Sequence, residues 1–169
     1  IGSKIVNAWK LKTPYFQPLH KQFNTAIDQK ILIGRLEKIH FPELSLYHLD
    51  AKIDTGAYTS SLHCHHITTK KSNGLTVVRF FVLDPDHPEY ENRPFEIPVH
   101  KVKSVKSSNG ITEERVVIKQ KIEIAGRSYA IDLSLTNRAE MRYPVLLGRR
   151  FLNKKFIVDV STKYLFKQS

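Results

Sequence analysis

Read for its alternation of apolar and polar positions, the chain changes texture at Ile31. Before it, residues 1–30 have no clear period, and Pro14 and Pro18 would break any long helix. That stretch reads as an extended arm, packed by Trp9, Tyr15 and Phe16, and it carries no apolar core of a signal peptide. From Ile31 the pattern is that of strands. Ile31-Leu32-Ile33-Gly34 is a short apolar run, and in Leu49-Asp50-Ala51-Lys52-Ile53-Asp54 apolar and charged residues alternate with the period of a half-buried strand. Val77-Val78-Arg79-Phe80-Phe81-Val82-Leu83 predicts a buried strand, stopped by Asp84-Pro85-Asp86. Pro85, Pro88, Pro94 and Pro98 make 84–98 loop or edge structure. Ser107-Ser108-Asn109-Gly110 is a hairpin turn. Val116, Ile118, Ile122 and Ile124 predict the next strand, Ala125-Gly126 a turn, and Tyr129, Ile131, Leu133 and Leu135 another strand. Phe156–Val160 and Tyr164–Phe166, joined at Ser161-Thr162-Lys163, predict a closing hairpin. Helix is confined to a short piece near Arg149–Asn153. Many short strands at this spacing predict an all-β domain over residues 31–169, a small barrel or sandwich.

Composition narrows the function classes. The chain has 169 residues, enough for one domain, and its 41% apolar content can fill a core. No run approaches the 18 or so apolar residues of a membrane-spanning helix. One cysteine, Cys64, excludes an intramolecular disulfide framework and a multi-thiolate zinc site. The net charge of +11 suggests an acidic partner. Its two concentrations are Lys101, Lys103, Lys106, Arg115, Lys119 and Lys121, then Arg138, Arg142, Arg149, Arg150, Lys154 and Lys155. Both are interleaved with apolar residues and read as solvated strand faces. With no zinc finger, helix-turn-helix or exposed aromatic sheet pattern, specific nucleic-acid binding is disfavoured.

The chemistry is concentrated in Ala51-Lys52-Ile53-Asp54-Thr55-Gly56-Ala57-Tyr58-Thr59-Ser60-Ser61-Leu62. An alternating strand delivers the Asp54 carboxylate into an Asp-Thr-Gly turn, and a new strand leaves it. Gly56 permits a tight turn and close backbone approach, and the Thr55 hydroxyl can lock the turn. The triplet alone is equally an ordinary Asp-x-Gly turn. Downstream lies Tyr143-Pro144-Val145-Leu146-Leu147-Gly148-Arg149-Arg150-Phe151-Leu152, an apolar-apolar-Gly strand followed by Arg and a helical turn.

Together these segments resemble the two half-signatures of retropepsin-type aspartic proteases. With FIVDVS near the end, they are similar to the bacterial retropepsin-like proteins often labelled "ATP-dependent zinc proteases" and associated by name with the modification enzyme RimK. The resemblance runs from about residue 31 to 169. The label finds no support in these residues, which contain neither a G-x-x-x-x-G-K-[ST] loop for ATP nor an H-E-x-x-H for zinc. What the resemblance implies is a single-lobe closed β-barrel of the acid-protease type with little helix. Asp54 would be the catalytic carboxylate, Thr55 a brace across a dimer axis, and Gly56 and Ala57 the turn that admits substrate backbone. Leu146, Leu147 and Gly148 would form the supporting strand. Arg149 matches an arginine that pairs, in retroviral proteases, with an acid two residues beyond the motif glycine. Here that position is Tyr58, so the ion pair is missing.

Aspartic-protease chemistry needs two carboxylates sharing a proton. One Asp-Thr-Gly in a one-lobe chain therefore predicts a homodimer with an Asp54 from each subunit. The substrate would be a peptide, and no cofactor is called for. Two hairpins could cover it, one near Thr69–Thr76 turning at Ser72-Asn73-Gly74 and one near Lys103–Arg115. The 93-residue spacing from Asp54 to Leu147 indicates insertions, with 84–98 the leading one. A different class of function also fits, a catalytically silent module binding peptides or acidic partners. The metal alternative rests on His63-Cys64-His65-His66. His63 and His65 would share one strand face, and a site would need recruits from His40, His48, His87 or His100. Asp132 and Asp159 read as structural carboxylates within strands.

Overall fold

The computed structural model describes residues 30–106, 110, 112–137 and 142–166. The expected arm lies outside these residues except for Lys30, as does most of the 107–110 turn. The described part is almost entirely strand. In chain order the strands are β1 (Ile31–Gly34), β2 (Leu36–Phe41), β3 (Leu46–Asp54), β4 (Ser60–Ser72), β5 (Leu75–Val82), β6 (Phe95–Pro98), β7 (Lys101–Lys106), β8 (Thr112–Ile124), β9 (Arg127–Thr136), β10 (Val145–Gly148) and β11 (Phe156–Asp159). A 3-10 turn at Pro42–Leu44 and one helical turn, α1 (Arg149–Leu152), complete the elements.

Six strands pair in a closed circuit, β10-β3-β2-β8-β9-β4 and back to β10. The circuit closes because β10 pairs parallel with β3 on one side and antiparallel with β4 on the other. The inward side chains of this ring fill the core: Ile39, Leu49, Ala51, Leu62, Ile118, Ile122, Leu133, Val145 and Leu147 are all buried. The period-two pattern of β3 works as expected, with Leu49, Ala51 and Ile53 inside and Lys52 outside. Each fully buried Leu or Ile contributes roughly 1.5–3 kcal/mol over exposure. The ring is thus held chiefly by apolar packing. Cys64 belongs to the same core, where burial pushes its thiol pKa up and keeps it unreactive.

Outside the ring, β5 and β6 extend the sheet from β4, and β7 pairs with β8. The Pro-rich segment behaves as expected, a loop ending in the edge strand β6. The closing hairpin does not form. Phe156–Asp159 is a strand, but it pairs parallel with β1, and residues 162–165 are not strand. Asp159 redirects the chain: its Oδ1 accepts from the Ser161 amide at 2.8 Å and the Ser161 hydroxyl at 2.6 Å. The chain then crosses the β1–β2 corner, where the Arg35 amide donates to the Thr162 carbonyl and the Tyr164 amide to the Leu36 carbonyl. Buried Glu37 fastens that crossing, accepting from the amides of Gly34 (2.7 Å) and Leu165 (3.2 Å).

Candidate active site

The register of β10 against β3 is Val145↔Ala51, Leu146↔Lys52, Leu147↔Ile53 and Gly148↔Asp54. On its other side Val145 pairs with Leu62 and Leu146 with Ser61. The apolar-apolar-Gly strand is therefore inserted between the strand that enters the Asp-Thr-Gly turn and the strand that leaves it. Both ends of the turn are fixed by one buried strand, which limits how far Asp54 can move.

Gly148 is required by contact. A Cβ there would lie 2.6 Å from the carbonyl carbon and oxygen of Thr59, which is backbone and cannot swing aside. Its amide donates to the buried Ser60 hydroxyl at 3.1 Å. Beyond it the amides of Arg149 and Arg150 donate to the carbonyls of Ala57 (2.9 Å) and Tyr58 (3.1 Å). The first turn of α1 thus reads the outgoing arm of the Asp54 loop residue by residue.

The loop is also closed from within. Asp54 Oδ1 accepts from the amides of Gly56 and Ala57, both at 3.0 Å. Oδ2 stands 3.9 Å from Lys52 Nζ, and the side chain keeps 27% of its exposure. One carboxylate oxygen is spent on the turn, and the other lies within ion-pair distance of Lys52. The Thr55 hydroxyl, expected to lock the turn, makes no hydrogen bond among the described residues; the Asp54 carboxylate does that work instead.

Arg149 solves the problem posed by Tyr58. Its guanidinium donates to the Gly56 carbonyl at 3.0 Å and to the Thr55 carbonyl at 3.4 Å, and it lies 5.6 Å from the centre of the Tyr58 ring. The missing acid is replaced by two backbone acceptors and an aromatic face. Lys103 approaches the same ring at 5.9 Å.

Beside the turn opens a cavity of about 220 Å³, lined by Thr59, Ser60 and Phe151 together with Lys101, Lys103, Arg150 and Lys155. Sequence reasoning placed these cations on two separate solvated faces. Strand pairing brings β7 and α1 to one place, and only the long-range fold could show that. Ser60 was also missed; its role as acceptor for Gly148 has no signature beyond its position after the turn.

The histidine cluster does not assemble. His63 contacts Asp84 Oδ2 at 2.8 Å, while His65 stacks on Phe81 with centroids 5.3 Å apart. A bulge between His65 and Thr68, with His66 at φ 50°, breaks the alternation. No three His, Cys, Asp or Glu among the described residues are placed to hold a metal.

A single-lobe, all-β ring that presents an Asp-Thr-Gly turn against an apolar-apolar-Gly strand defines an aspartic-protease-like fold of the retropepsin type. The family model described as retropepsin-like aspartic endopeptidase RimB matches residues 32–169, and the chain belongs to that family. Curated relatives include proteins of Shewanella pealeana and Shewanella halifaxensis, each named "Probable alpha-L-glutamate ligase". Each is 37% identical, over 141 and 145 residues, which is 81% and 83% of this chain. The matches cover 30% and 31% of those proteins, so the chain spans about a third of the length of the curated relatives it matches. A crystal structure of the Legionella pneumophila protein Lpg0085, described as having unknown function, superposes with a TM-score of 0.65 at 29% identity. It covers 81% of this chain and 98% of that one.

Proposed function

We propose that this chain is an aspartic endopeptidase acting as a homodimer, with the two Asp54 carboxylates meeting across the twofold axis. The observation that supports this reading is the state of Asp54: Oδ1 is pinned by two amides, while Oδ2 accepts no hydrogen bond among the described residues and has only the Lys52 ammonium near it, at 3.9 Å, on a side chain that keeps 27% of its exposure. Two such carboxylates a few ångströms apart cannot both ionise, so they hold one proton between them and titrate as a pair. The ionised member takes a proton from water while the protonated member polarises the scissile carbonyl. Peptide hydrolysis then proceeds without a covalent intermediate. In this dimer the Thr55 hydroxyl, on an exposed residue, would brace the partner's copy of the turn.

The basic cavity next to Thr59 suits acidic residues of a peptide substrate. The names of the curated relatives, which concern glutamate ligation, favour the same substrate chemistry. Of the two hairpins that could cover a substrate, β7–β8 is favoured, because Lys101 and Lys103 line the cavity shared with Thr59 and Ser60. A second reading, a silent binding module, is supported by the same cavity, since binding acidic peptides needs no turnover. The deciding experiment is cleavage of an acidic peptide by the wild-type chain and by Asp54→Asn. The protease reading expects cleavage that the variant abolishes; equal rates would overturn it, and binding without cleavage by either would favour the module.

A further inference from the structure

We infer that Asp132 sets the ligand specificity of the basic cavity: it is a resident anion that occupies Lys101 and Arg150, and an incoming acidic ligand must compete with it. The inference rests on the reading of this cavity as the acceptor of acidic peptide residues.

The four cations around the cavity are not equivalent. Lys101 Nζ is 2.7 Å and Arg150 Nη1 3.3 Å from the same oxygen, Asp132 Oδ2, and His100 Nε2 lies 4.0 Å from the other oxygen. Lys103 and Lys155 have no carboxylate within salt-bridge distance among the described residues. Lys103 rests over the Tyr58 ring, and Lys155 donates to the Phe151 carbonyl at 2.9 Å. Asp132 is on β9, Lys101 on β7 and Arg150 on α1, so the carboxylate is gripped from two other elements. It lies on the strand face opposite the buried Ile131 and Leu133 and lines the cavity itself. Burial opposes its charge, but the Lys101 hydrogen bond and the charges of Lys101, Arg150 and His100 outweigh that and hold its pKa below the usual carboxylate range. Asp132 therefore stays ionised wherever the peptide carboxylates are ionised.

Two effects follow for an anionic ligand. Asp132 repels it across the cavity, and it holds two donors that the ligand would otherwise engage. Lys103 and Lys155 have no carboxylate partner among the described residues, so an acidic ligand is still admitted, but at reduced affinity. One charge removed at about 6 Å from the ligand, with an effective dielectric constant of about 40, changes binding about tenfold. A neutral ligand gains nothing from the same change. Asp132 thus trades affinity for release of acidic ligands.

The test uses the Asp54→Asn chain, so that binding is read without cleavage. Fluorescence anisotropy gives the affinities of labelled hexaglutamate and hexaglutamine at fixed pH and salt, with Asp132 intact or changed to Asn. Asp132→Ser, also uncharged, serves if the Asn variant does not fold. Removing the charge is expected to tighten hexaglutamate binding about tenfold and leave hexaglutamine unchanged. Unchanged or weaker hexaglutamate binding would overturn the inference and make Asp132 an organiser of the cations. If that result comes with a clear hexaglutamate preference in the Asp132 chain, the acidic-peptide reading stands and only the inference falls. No preference for hexaglutamate in either chain would overturn both.

Discussion

The Arg149 guanidinium lies over the Tyr58 ring, 5.6 Å from its centre, while donating at 3.0 Å to the carbonyl of Gly56. One side chain thereby ties the start of α1 to the turn that carries Asp54. The contact is exposed, and a cation over an aromatic ring contributes about 0.5–1 kcal/mol at such sites. A double-mutant cycle with Tyr58→Ala and Arg149→Met should return a coupling of that size by urea denaturation, and Tyr58→Phe should keep it. Zero coupling would mean that the ring merely neighbours the cation.

Gly148 meets backbone where a side chain would begin. Gly148→Ala puts a methyl carbon 2.6 Å from the Thr59 carbonyl, so β10 or the Asp54 loop must shift. Such overpacking costs about 1–3 kcal/mol, measurable as a lower denaturation midpoint with an unchanged slope. Wild-type stability in this variant would contradict the tight insertion of β10.

The His65 ring is packed on Phe81, and its Nε2 is buried without a hydrogen-bond partner among the described residues. Burial and then the charge of His66 push its pKa down, against a weaker upward pull from Asp84. As pH falls through about 6.5, the unfolded chain takes up this proton before the folded chain does. Stability contributed by the neutral ring is therefore present above that pH and lost below it, until the folded ring also titrates. His65→Phe should flatten the stability profile between about pH 7 and 5, followed by urea unfolding across that range. An unaltered profile would place the dependence elsewhere.

The turn and its supporting strand were legible in the sequence because each is a local pattern with a fixed residue order. Asp54, Gly56, Leu147 and Gly148 could be picked out, and the period-two alternation of β3, β8 and β9 gave the all-β class. What escaped were relations carried by distant pairing. The parallel β1–β11 pair replaced the closing hairpin because an Asp159 side-chain turn, invisible to periodicity, redirects the chain. The basic cavity escaped for the same reason: Lys103 and Arg150 are 47 positions apart (150 − 103) and meet only when the ring closes. The absence of an acid at position 58 was visible, but the carbonyl acceptors that Arg149 uses instead are backbone and have no residue code.

The central claim, that one active site is built from two copies of Asp54, is tested most directly by mixing. Wild-type and Asp54→Asn chains are unfolded and refolded together at constant total concentration, and the initial rate of acidic-peptide cleavage is measured against the wild-type fraction. A site shared across a dimer makes every mixed pair inactive, so the rate should fall as the square of that fraction, to about a quarter at equal mixing. A linear fall, to about half at equal mixing, would contradict the shared site.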